Sequence, residues 1–255
     1  MAIKNIITFS VLIMTISFVS CSKDIDSTQV INLEKQYNIQ LHQSLSNEGA
    51  IPSLLLSSVE FQECTNTTIS FETNITNASA AINLLNVELD GECVVSTISV
   101  EEIIDLGNLV EEKEIVISLS DVIDNQGILT DENDQFSLVM ESEDGIIISH
   151  NEINKIKNGM LWGFVSNIES DDFFDFLGSV EQSYTFDTGD YGHFYIDMDN
   201  EIHNDAISNH PNSTSFLIST NLPWEEMEER AQVFKSAHPN LTGRFYFHNG
   251  EELVF

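Results

Sequence analysis

Between Pro52 and His150 apolar side chains recur at every second position in short segments separated by Asn, Asp and Gly. A period of two puts alternate side chains on opposite faces of an extended chain, so each segment is expected to be a strand with one buried face. The segments lie near 54–63, 67–75, 81–89, 92–100, 114–120, 135–142 and 145–149. About seven short strands over roughly a hundred residues imply a β-sandwich for residues 51–150.

Past Asn151 the spacing lengthens and most of the aromatics appear. Here the chain reads as a repeat, with chance similarity between two α+β stretches as the alternative: Phe164 to Asp172 and Ile218 to Glu226 match at a constant offset of 54 residues. Each copy runs from an apolar strand through Ser/Thr-Asn-Ile/Leu into acids, the charge that suits a helix N-terminus. Pro223 fits a first helical position. The first helix should bury Phe173, Phe174, Leu177 and Val180, and the second Trp224, Met227, Ala231 and Phe234, on apolar stripes at helical spacing. Hairpins should follow, from Tyr184–Gly189 into His193–Asp197, and from Phe245–Gly250, with its Asn249-Gly250 turn, into Leu253–Phe255. Residues 151–255 are thus expected to be an α+β domain of two βαββ repeats, one antiparallel sheet under two helices.

Residues 1–20 carry one charge, Lys4, and an apolar run from Ile6 to Val19, too short to span a bilayer but proportioned as a secretory signal peptide. The run ends in Phe18-Val19-Ser20-Cys21, which resembles the lipobox of bacterial lipoproteins, with Phe18 in place of the usual Leu. The resemblance implies export, cleavage before Cys21 and lipidation of its sulfur, with acyl chains holding the protein on a membrane. The polar stretch Ser22-Lys23-Asp24-Ile25-Asp26 then reads as a tether, and resembles the signal that sends lipoproteins of Bacteroidota to the outer face of the outer membrane. Residues 21–50 are expected to hold the lipidated cysteine and a tether or short helix, because Val30, Leu33, Tyr37, Leu41 and Leu45 recur at helical spacing.

With Cys21 taken by lipid, Cys64 and Cys93 remain in a compartment where disulfides persist, and are expected to pair; two separately buried thiols are the alternative. Glu114 to His150 also looks like the later strands of immunoglobulin-like domains common in Bacteroidota surface lipoproteins. There a strand, an "LSDV" turn, an acidic loop and a hairpin closed by "DG" follow one another. That likeness implies a sandwich of immunoglobulin-like kind and a compartment, not an activity.

The formal net charge is −33, from 42 acidic and 9 basic residues. Such a surface repels nucleic acid and anionic lipid, since phosphate binding needs Lys and Arg to displace counterions. With 42% apolar residues the chain is globular rather than disordered. Hydrolase motifs are absent: there is no G-x-S-x-G, no H-E-x-x-H and no phosphate-binding glycine loop.

The histidines are His42, His150, His193, His203, His210, His238 and His248. Of these, His193 lies four residues before Asp197, with Asp199, Glu201 and His203 after it, a density of imidazole and carboxylate that suits a divalent metal, zinc through nitrogen or calcium through oxygen, with His193, Asp197 and His203 as the candidate ligands; a turn at Asp199-Asn200 is the alternative to a shared strand face. An acidic loop of Asp121, Asp124, Asp131 and Asp134 is a second calcium candidate, with an ordinary solvated loop as its alternative. Paired βαββ units are similar to those of the vicinal-oxygen-chelate enzymes, but the opening strands at 161–167 and 215–221 lack the His and Glu ligands of that family.

The expectation is a lipid-anchored protein of the outer membrane, displayed at the cell surface, without catalytic motif or cofactor apart from calcium. Its sandwich would act as spacer and its C-terminal domain would bind a protein or glycan. Two alternatives stand beside it: a lipid-anchored, metal-dependent enzyme with its site around Trp162, Trp224 and His193, and a periplasmic accessory subunit of an envelope complex.

Overall fold

The computed structural model describes residues 34–60, 64–95, 101–182, 185–204, 210 and 212–255. The leader and Cys21, Val30 and Leu33, Tyr184, and parts of the strands expected at 54–63 and 92–100 lie outside them.

Where helical spacing suggests a short helix, the chain forms a strand, β1 (Tyr37–Ser46), paired antiparallel with β2 (Gly49–Ser58). Tyr37, Ile39, Leu41 and Gln43 all turn inward, at a period of two. Cross-strand partners such as Ile39 with Leu56 and Leu41 with Leu54 bury together. β5 (Glu102–Asp105) extends this sheet beyond β2, and β9 (Ile146–Ser149) joins β1 in parallel, giving the order β5-β2-β1-β9.

The second sheet is built from β3 (Thr67–Ile75), β4 (Ser79–Leu89), β6 (Glu112–Leu119), β7 (Ile123–Glu132), β8 (Gln135–Met140) and β10 (Glu152–Asn154). Its order is β10-β8-β7-β6-β4-β3, with β4 and β6 parallel. Ile39, Leu54, Leu56 and Ile104 of the first sheet and Ile82, Ile115, Ile117, Leu129 and Phe136 of the second share one apolar core. Each such side chain contributes about 1.5–3 kcal/mol by leaving water.

Two local expectations are corrected here. The acidic loop is strand β7 for Asp124 and Asp131, so its four aspartates do not form one loop. The Asp144-Gly145 turn closes no hairpin, because β8 and β9 belong to different sheets. Gly145 turns the chain from one sheet to the other at φ 75°, where a Cβ would meet Leu119 Cδ1 at 2.4 Å.

Cys64 and Cys93 form a disulfide across 29 residues, tying together the chain before β3 and the chain after β4. β3 is the outermost strand of its sheet, so the bond fastens an edge that pairs on one side only. Loop-closure entropy for a ring of this size is worth about 3.5 kcal/mol. The Cys64→Ala/Cys93→Ala variant is expected to lose about that much in urea unfolding. An unchanged midpoint would show that β3 and β4 need no cross-link.

The C-terminal half begins with β11 (Met160–Ser166) and α1 (Ser170–Val180), and then enters a small sheet of β12 (Gly189–Asp190), β13 (Tyr195–Ile196) and β14 (Ile202–His203). β15 (Thr214–Ser219), α2 (Trp224–Ala237), β16 (Thr242–Phe247) and β17 (Glu252–Val254) complete the chain. The main sheet has the order β15-β11-β16-β17, all antiparallel, with both helices on one face. The chain is therefore mainly β, a sandwich followed by an α+β part.

The two βαββ copies are not structural equals. The second hairpin, β16–β17, joins the main sheet, whereas the segment after α1 forms the separate small sheet. That small sheet packs through Tyr191, Phe194, Ile196 and Ile202 on the other face of the main sheet, against Trp162. Gly163 lets β11 sit between two partners, since a Cβ there would lie 2.0 Å from the Arg244 carbonyl oxygen.

Candidate functional site

The two helices frame one of the grooves on the surface. Asp171 and Asp172 occupy the first turn of α1 and Glu225 and Glu226 that of α2, complementing the positive end of each helix dipole. Pro223 stands at the N-cap of α2, one position before the one expected. On α1 the inward face carries Phe173, Phe176, Leu177 and Val180, while Phe174, expected in the core, is 54% exposed. On α2 only Met227 and Ala231 are fully buried; Trp224 and Phe234 pack partly against the same core.

Between the outer faces of the helices runs an open groove of about 940 Å³. Phe176 and Phe234 stack across it, ring centroids 4.4 Å apart at 18°, and form its floor. Val233, 67% exposed, and Ala237 continue the apolar strip along α2. Carboxylates line both walls: Asp172 on α1, and Glu225, Glu226 and Glu229 on α2. Among the described residues Arg230 is the one cation in the lining, and it is held by Glu226 at 2.7 Å.

A second polar cluster is internal. Gln43 is fully buried at the junction of sandwich and C-terminal half. Its Nε2 donates to the carbonyls of Asn154, at 2.9 Å, and Tyr191, at 2.6 Å, and its Oε1 accepts from the Ile156 amide at 3.0 Å. The next ring along β1, His42, lies 4.4 Å from that of His193, whose Nε2–H donates to the Gln43 carbonyl at 2.7 Å. Burial first, then the neighbouring His193, pushes His42 down to about 4, partly opposed by Asp190 and Asp105. Burial also lowers His193, against the Gln43 hydrogen bond and Asp190, which raise it.

The three residues expected to share a metal do not converge. His193 is in the interior cluster, while Asp197 and His203 lie at the β13–β14 turn, 2.8 Å apart and partly exposed. Glu201, not His193, completes the group there, with one ligand atom of each residue within 4.8 Å of the others. Asp197 is already engaged in shaping the turn. Its Oδ1 accepts the amides of Asp199 and Glu201, each at 2.9 Å, and its Oδ2 faces His203. The His203 hydrogen bond, followed by the Glu201 amide, holds its carboxyl below the usual carboxylate range. Trp162 is core, packed on Phe194 and Tyr246, and Trp224 packs on Phe247.

Gln43 escapes a reading of the sequence because its segment has helical spacing, and His42 is visible there only as one histidine of seven. A signal is there nonetheless: Gln43 interrupts the inward series Tyr37, Ile39, Leu41. A polar side chain at a core position must find partners.

In architecture the chain belongs to the mixed class in which a β-sandwich is followed by an open antiparallel sheet covered by helices on one face. No family model, no curated protein and no solved structure matches it. No helix among the described residues is long and apolar enough to cross a membrane.

Proposed function

We propose that this chain is a lipid-anchored protein of the cell envelope, held at the outer membrane through Cys21, that works as a non-catalytic binding module with the α1–α2 groove as its contact surface. The observation that carries the reading is the groove itself: the stacked pair Phe176 and Phe234, with exposed Val233 beside it, between charged walls. Part-exposed apolar side chains rimmed by charge can serve as a contact surface. The lipobox-like sequence supports the anchor, and the order of sandwich then α+β half puts the groove away from the tether in sequence.

A photo-reactive residue placed at Val233 in intact cells is expected to form adducts with an envelope component, while the same residue at Val139, exposed on β8, is not. Equal labelling from both positions would remove the groove from the reading. Fatty-acid incorporation that persists in the Cys21→Ala variant would remove the anchor.

A further inference from the structure

We propose that the α1–α2 groove receives a cationic amphipathic helix, apolar on one face and flanked by Lys or Arg, from a partner protein. The proposal rests on the groove being the contact surface. Its floor and walls impose two chemistries at once. Phe176, Phe234 and Val233 supply an apolar strip between two helices, a surface on which a third helix can lay side chains at i, i+3 and i+7. Asp172, Glu225, Glu226 and Glu229 flank that strip, and Arg230 is already engaged by Glu226. An incoming helix therefore meets an excess of carboxylates over the single Arg230, with Asp172 on the α1 side 3.9 Å from His238, and cations at its flanks answer that excess.

Charge also decides against the other occupants. A second copy of this chain would bring a second acidic rim against the first. Residues 22–33 of the chain itself carry Lys23 against Asp24 and Asp26, and so have no cationic excess. Anionic headgroups are repelled for the same reason.

The test uses the full chain and two synthetic helical peptides of the length of α2, 14 residues: one of leucine and lysine, one of leucine and glutamate in the same pattern. The leucine–lysine peptide is expected to bind, with affinity falling as salt is raised. Glu229→Lys and Val233→Ser, both at exposed positions, are each expected to weaken it about tenfold without changing the thermal unfolding of the protein. Binding that neither substitution weakens would mean that the peptide is held elsewhere on the acidic surface, and would overturn the proposal. Equal binding of the leucine–glutamate peptide would overturn the charge argument and leave the groove as a contact surface. If neither peptide binds, or the chain dimerises through the groove, the cationic helix is ruled out, and adducts at Val233 decide separately whether the groove binds anything.

Discussion

Gln43→Leu is expected to destabilise the protein by about 4 kcal/mol at neutral pH, with no comparable loss of core volume. Leucine fills much of the space of the glutamine side chain, so little cavity is left. The cost is polar. The Ile156 amide loses its acceptor, and the carbonyls of Asn154 and Tyr191 lose a donor, all in a region closed to water. A buried amide that loses its acceptor, or a buried carbonyl that loses a donor, costs about 1–3 kcal/mol, amides more than carbonyls. The three partners come from two places, the end of β10 with the residues just after it and the loop after β12, so one side chain bolts both to β1. Urea unfolding should show the loss as a lower midpoint with an unchanged slope. A cost below about 1 kcal/mol would mean that water or a backbone shift replaces the amide. The bond from His193 to the Gln43 backbone carbonyl survives in this variant, which separates its effect from that of the histidines.

The helical look of β1 in the sequence has a simple geometric origin. Tyr37, Leu41 and Leu45 are spaced by four, and four is both close to one helical turn and two strand repeats. Only the residues between decide, and there Ile39 is apolar but Gln43 is not, so the strand pattern is broken at the position where function or fit requires a polar group. β7 is hidden in the same way. Its inward positions are Asn125, Gly127 and Leu129, and Asn125 is accommodated because Asp144 gives it both a donor at 2.6 Å and an acceptor at 3.0 Å. The strands at 67–75 and the paired helices are legible because their buried faces are largely apolar.

Site geometry is legible only where it is local. The turn that brings Asp197, Glu201 and His203 together spans seven residues, whereas His193 is removed by the two-residue strand β13 and a reversal in front of it. The groove needs the relative placement of α1 and α2, separated by some forty residues and set by a sheet that neither helix encodes. Its acidic walls are visible in composition, but not that they flank a shared aromatic floor.

Acid should weaken the junction that Gln43 holds. His42 is neutral in the folded protein and titrates at about 4, against an ordinary value of 6.5. Between those two values the unfolded chain binds a proton that the folded chain refuses, so stability is complete above pH 6.5 and is lost as the pH falls towards 4. The amount is about 3 kcal/mol for His42, and His193, lowered in the same direction, adds to it. Below pH 4 both states carry the proton and the loss stops growing. The 42 acidic residues also titrate near the bottom of this window, and relief of their mutual repulsion acts in the opposite sense. The informative quantity is therefore the stability of the wild-type chain minus that of His42→Gln, in which the carboxylate contribution cancels. This difference is expected to fall by about 3 kcal/mol between pH 7 and pH 4. A difference that stays constant would show that His42 is not the titrating group. Because His42 and His193 lie between β1 and the small sheet, the same protonation pushes like charges together across the seam that joins sandwich to α+β half. Amide exchange should then accelerate first at Tyr191, Phe194 and Ile196, before the core of the sandwich opens.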